Sequence, residues 1–180
     1  MKPTMKSVIT LRAAGLAAVL VLMMAQPVSA AVEPGVEYPA GTKIDTPGAG
    51  VSFIIPKGWS GMLPKGRTFF VLGSPAQKAY IYVLVDKMTM AEAQENMTTP
   101  VALGNGLRLQ LASDIRQQGK VLAADYSVEG GEDPIAGYIE TLVGEGGLGV
   151  GYLAVSSPDT ISGVQHVVHQ LIQGTTLDEL

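Results

Sequence analysis

From Ala79 to Val85 the apolar positions alternate with a period of two. Tyr80, Tyr82 and Leu84 fall on one face, and Ile81, Val83 and Val85 on the other. Apolar groups on both faces predict a central strand with cover on each side. Two shorter β-rich runs precede it: Val51 to Ile55, stopped by Pro56, and Thr68 to Leu72, stopped by Gly73-Ser74-Pro75. After Val85 the period changes. Thr89 and Glu92 fit a capping box, Met90, Ala93 and Met97 follow at helical spacing, and Pro100 limits the run, which predicts a helix over about 90–98. Gly104-Asn105-Gly106 then reads as a turn, beyond which Leu107, Leu109 and Leu111 alternate with Arg108 and Gln110. Three further strands are predicted at about 120–128, 135–143 and 148–156, and their glycine-rich separators imply antiparallel hairpins. In the last segment Ile161, Val164, Val167, Val168, Leu171 and Ile172 share one helical sector. Ser157 is the expected N-cap, with Pro158 at the first helical position and Gly174 at the end.

This order of elements predicts an α/β fold, an antiparallel sheet sandwiched by helices, formed by a single domain over residues 51–180. Residues 31–50 carry Pro34, Pro39 and Pro47 with little apolar periodicity and read as an extended lead-in. Residues 1–30 read as a signal peptide. Lys2, Lys6 and Arg12 open it, an apolar run extends from Ala13 to Ala25, and Val28-Ser29-Ala30 supplies small residues before a cut at Ala31. That apolar run is shorter than the roughly 20 residues a spanning helix needs, so a cleaved signal is favoured over a retained anchor. The expected address is periplasmic or secreted, and the chain left after cleavage is not expected to be an integral membrane protein.

Charge and cysteine use narrow the function classes. The chain has 12 basic and 16 acidic side chains; three of the basic ones lie in the signal, which leaves a net charge of −7 on residues 31–180. With no cluster of Lys or Arg, that balance argues against nucleic acid and against docking on anionic lipid by charge alone. The absence of cysteine excludes disulfides, thiolate metal sites and a thiol nucleophile, and it removes a lipid attachment point at the cleavage site. Leu177-Asp178-Glu179-Leu180 lacks the basic or His first residue of a retention tag. Asn96-Met97-Thr98 is a glycosylation sequon only in a eukaryotic secretory route.

Candidate chemistry is sparse. His166 and His169 are the only histidines, three apart, and the helical wheel places both away from the apolar sector, toward water. Gly58-Trp59-Ser60-Gly61-Met62 imitates a nucleophile elbow but ends in Met62 with no helix pattern after it. Gly144-Glu145-Gly146-Gly147-Leu148-Gly149 imitates a dinucleotide fingerprint, yet a strand pattern follows where a helix N-terminus is needed. Glu129-Gly130-Gly131-Glu132-Asp133 reads as a solvated acidic turn rather than a calcium loop. Asp86, Asp125 and Glu140 are the acids with the most constrained surroundings; each is expected to point outward from a strand, and a hydrolase would need at least two of them to converge in a cleft with a shifted pKa. Trp59, Met88, Met90 and Met97 form a candidate binding surface, with core packing as the competing role. The sequence assigns no catalytic, cofactor or metal-ligating residue.

The run Val51-Ser52-Phe53-Ile54-Ile55-Pro56-Lys57-Gly58-Trp59 resembles the opening of the PsbP-like superfamily, a hydrophobic strand followed by Pro, any residue, Gly and Trp. That group includes the extrinsic PsbP protein of photosystem II and periplasmic DcrB-like proteins. The resemblance implies an antiparallel sheet between helices, with Phe53, Pro56 and Trp59 as structural positions, and supplies no catalytic residues. The expectation is an exported accessory protein acting through contact with an unknown envelope protein. A carrier of a small apolar or lipid-like ligand is the alternative, and a carboxylate-based hydrolase a third.

Overall fold

A computed structural model describes residues 29–46, 49–104, 106–131 and 134–178. In chain order its elements are β1 (Ser29–Ala31), β2 (Glu37–Tyr38), β3 (Lys43–Thr46), β4 (Val51–Ile54), β5 (Ser60–Met62), β6 (Phe70–Ser74) and β7 (Ala79–Lys87). Then come α1 (Met90–Thr98), β8 (Val101–Gly104), β9 (Leu107–Leu111), β10 (Arg116–Gln118), β11 (Val121–Glu129), β12 (Ile135–Val143), β13 (Leu148–Ser156), α2 (Ile161–Gly174) and β14 (Thr176–Leu177). Among the described residues these form two sheets. The main one runs β2-β5-β6-β7-β13-β12-β11-β9-β8, with β10 also paired to β11, and its pairs are antiparallel. The small one runs β1-β3-β4-β14, antiparallel except where β1 meets β3.

Register assigns every side chain of the main sheet to one of two faces. Val150, Tyr152 and Ala154 of β13 lie opposite Val85, Val83 and Ile81 of β7, and all six point to what we call the inner face. There α2 docks with Val164, Val168 and Leu171, and the small sheet adds Ile44, Val51 and Phe53, all of them buried. Phe53 is the hub of this core, edge-on to Phe70 at 5.7 Å and to Tyr152 at 6.0 Å between ring centroids. Gly61 is required beside it, because a Cβ there would stand 2.4 Å from Phe70 Cε1. On the opposite, outer face, α1 sets Ala93 and Met97 against Leu109, Leu122, Ala124, Tyr126 and Leu153. The Tyr126 hydroxyl donates to the Met97 carbonyl at 2.6 Å and ties the end of α1 to the sheet. The fold is thus mostly antiparallel and sheet-dominated, with two helices among the described residues, and the second sheet supplies much of the inner cover.

The capping box forms as its spacing requires: Thr89 Oγ1 accepts from the Glu92 backbone N–H at 3.2 Å, and the Glu92 carboxylate accepts from that of Thr89 at 2.7 Å. Helix α2 starts at Ile161, later than the Ser157 N-cap expected. Residues 158–160 form a turn in which the Ser157 carbonyl accepts from the Thr160 and Ile161 N–H groups. Within residues 31–46 the chain forms more regular structure than its composition implies. It contributes β2 and β3, and Ile44 is fully buried opposite Phe53. Each of these strands is short and polar apart from one or two side chains, so no period announces it. Ser29 and Ala30, which precede the expected cut, pair with Lys43 and Ile44. Among the described residues no helix is long and apolar enough to cross a membrane.

Candidate functional site

The outer face is covered on one side only. Strand β7 presents Tyr80, Tyr82 and Leu84 there, yet α1 lies over β9, β11 and β12, leaving the face open above β7, β6 and β5. Tyr80 is 55% exposed, Leu84 43% and Met62 of β5 37%. The expectation of cover on both faces of β7 therefore fails on this side. The alternation that made the strand conspicuous carries no information about what lies above it.

Two hollows occupy the open half. One, of about 490 Å³, is floored by Val71 and Gly73 and walled by Met62, Pro64, Pro75 and Tyr80, with Lys78 at its hairpin end. The Tyr80 ring lies across Gly73, where an added Cβ would meet it in ordinary van der Waals contact at 3.6 Å. The other, of about 350 Å³, is a notch between α1 and the sheet, bounded by Leu84, Asp86, Met88, Met97 and Val101 over a floor containing Thr141 and Gly151. Between them Tyr82 packs edge-on against Phe69 at 5.8 Å, and the Arg67 guanidinium stands 6.0 Å from the Phe69 ring. Both hollows fall in the size range of small-molecule sites but open broadly to solvent.

The candidate residues named from sequence separate in space. Met88 and Met97 line the notch, and Met90 packs on the same outer-face core. Trp59 is 3% exposed within the inner-face core, across the sheet from the methionines. A shared surface of all four is not formed. Sequence could not show this, because the side on which the chain enters β5 depends on the pairing of β5 with β6.

A polar cluster sits at the other end of the inner face. Asp125 of β11 and Glu140 of β12 point the same way, flanked by Tyr138, while α2 brings Gln165 and His169 over them and β10 brings Arg116. Asp125 is held at both oxygens, by Arg116 at 2.9 Å and by Gln165 at 2.7 Å. Glu140 is only 3% exposed, contrary to an outward-facing position, and meets His169 Nδ1 at 3.1 Å and the Tyr138 hydroxyl at 3.4 Å. His169 Nε2 lies 2.9 Å from Gln173 Nε2, so a neutral ring donates through Nδ1 and accepts through Nε2. Burial, reinforced by the Glu140 charge, pushes the Tyr138 hydroxyl up to about 12 and keeps it a neutral donor. The Asp125 side chain raises the Arg116 guanidinium further above its ordinary value. These groups satisfy one another and anchor α2 to the sheet.

The remaining candidates disperse. Asp86 stays apart from Asp125 and Glu140, on the outer face opposite Gly149, where it accepts from the Lys87 N–H. Ser60 donates to Glu37 at 2.6 Å, whereas both histidines lie on α2. Residues 144–147 form the β12–β13 hairpin, closed by the Gly144 N–H on the Leu148 carbonyl, and lead into a strand. Glu132, Asp133 and Asn105 lie outside the described residues. Among the described residues no three His, Asp or Glu side chains are grouped as a metal site.

No family model matches the chain, and no curated protein sequence matches it. Among solved structures, the solution structure of cyanobacterial PsbP from Synechocystis sp. PCC 6803 is similar, with a TM-score of 0.52 over 79% of this chain and 91% of that one, at 11% identity. Identity that low speaks for architecture alone, so the conclusion is a PsbP-like fold.

Proposed function

We propose that this is an exported accessory protein, periplasmic or secreted after cleavage following Ala30, which works by docking another envelope protein on the open half of its outer sheet face. One observation carries the reading: Tyr80 and Leu84 of β7 and Met62, two strands away on β5, are exposed on the half of the outer face that α1 leaves uncovered. Contiguous apolar surface of this kind marks contact sites in water-exposed proteins. The polar cluster on the inner face supports the same reading, since its carboxylates are engaged in holding α2. Helix α1 covers only part of the outer face, and the partner would cover the rest.

The test is capture of the chain from its native envelope after mild crosslinking in cells, with mass spectrometry of proteins and small molecules, for the natural chain and Leu84→Arg. The reading expects one stoichiometric protein partner that Leu84→Arg loses. Equal recovery by both chains would sink it. The second reading, a carrier of an apolar ligand, is favoured by the notch beneath Met88 and Met97. It expects instead a small molecule that co-purifies without a protein.

A further inference from the structure

The open strip along β7 is polar at both ends and apolar between them. Outward positions in order are Lys78, Tyr80, Tyr82, Leu84 and Asp86: a cation, three large apolar groups and an anion. Neither Lys78 nor Asp86 has an ion-pair partner among the described residues, although three other acidic side chains of the molecule do. Lys78 is fixed at its end of the strip by the Pro75–Lys78 hairpin, whose last residue takes the left-handed conformation, φ 48°. Among the other charges nearby, Glu37 beside Met62 and Arg67 over Phe69 flank the strip on the side away from α1, Lys87 follows Asp86, and α1 itself carries Glu92 and Glu95.

We infer that the docked partner presents an amphipathic α-helix, laid beside α1 along β7, with an acidic first turn at Lys78 and a basic last turn at Asp86. This rests on the docking reading above and names the partner's chemistry. Helix α1 already shows how this face is covered, by a helix pressing small and flexible side chains such as Ala93 and Met97 onto the strands. A second helix in the vacant half would extend the same layer. The charge order fits its polarity, because acidic side chains favour a helix N-terminus and basic ones its C-terminus. Eight residue steps of strand separate Lys78 from Asp86, about 26 Å. A helix of about 18 residues spans that length.

Two designed 18-residue peptides with one apolar stripe serve as probes, one acidic-first and basic-last, the other with the charges exchanged. Each is titrated into the chain from Ala31 onward, with calorimetry and amide chemical shifts as readouts. The inference expects the acidic-first peptide to shift the amides of Gly73, Tyr80 and Leu84 and to bind about tenfold tighter at low salt. It expects Lys78→Glu with Asp86→Lys to invert that preference while leaving the thermal midpoint unchanged. Equal binding of both peptides, no binding, or shifts confined to other surfaces would overturn it. So would self-association of the chain, or vesicles of neutral phospholipid, perturbing the same amides when neither peptide does. If the peptides fail while Leu84→Arg still loses its partner in cells, the helix is wrong and the docking reading stands. If Leu84→Arg keeps its partner, both fall.

Discussion

The two faces of the main sheet are made of similar residues and are used differently. On the inner face Ile81, Val83 and Val85 of β7 belong to the core that α2 and the second sheet complete, and Ile81 and Val83 are almost wholly buried. On the outer face Tyr80 and Leu84 of the same strand stand in solvent. One strand therefore contributes stability through one set of side chains and a surface through the alternate set. Burying a large apolar side chain fully is worth about 1.5–3 kcal/mol, and the outer set forgoes much of that unless something covers it.

Breaking the inner face should have the largest consequences. Phe53→Ala removes the ring that joins the small sheet to Phe70 and Tyr152, and a loss of about 3–5 kcal/mol is expected in urea unfolding. Gly61→Ala should cost about 1–3 kcal/mol by the same measurement, since its Cβ must displace Phe70 and Leu72. Alkaline pH should loosen both faces through their buried tyrosines. Burial raises Tyr126 and Tyr138 to about 12 and Tyr152 higher still, against 10.0 when unfolded. Above pH 10 the unfolded chain then holds fewer protons than the folded one, so stability falls as pH rises from about 10 through 12. Tyrosinate absorbance and far-ultraviolet dichroism should change together in that window.

Smaller effects sharpen the contrast. His169→Ala leaves the buried Glu140 with Tyr138 alone, and because the imidazole is half exposed the loss should be only about 1 kcal/mol. On the outer face, Leu84→Arg should change stability by less than about 0.5 kcal/mol, measured by the same denaturant curve, while removing partner capture.

Much of this fold was legible because several elements are long and periodic. The alternation in β11, β12 and β13 and the glycines between them give their pairing, and the capping box fixes the start of α1. Strands β2, β3 and β10 are too short and too polar to produce a period, and β3 is recognisable only from its pairing with β4. The candidate site was not legible in the sequence: of the residues proposed from it only Met88 and Met97 line the notch, and Tyr80, Leu84 and Met62 were not among them. A two-sided apolar strand reads the same whether its second face is covered or bare, so the open surface at Tyr80 and Leu84 emerges only once α1 is placed. Likewise Glu140 looks like any polar strand residue until α2 closes over it, and Trp59 and the methionines share a composition but not a face.

The most direct test of this division is site-specific photocrosslinking in cells, with the reactive group placed at Leu84 on the open face and, as control, at Ile54, an equally exposed apolar position of the small sheet. The account predicts a single discrete adduct from position 84 and none of that mass from position 54. Equal adducts from both positions, or none from position 84, would contradict it.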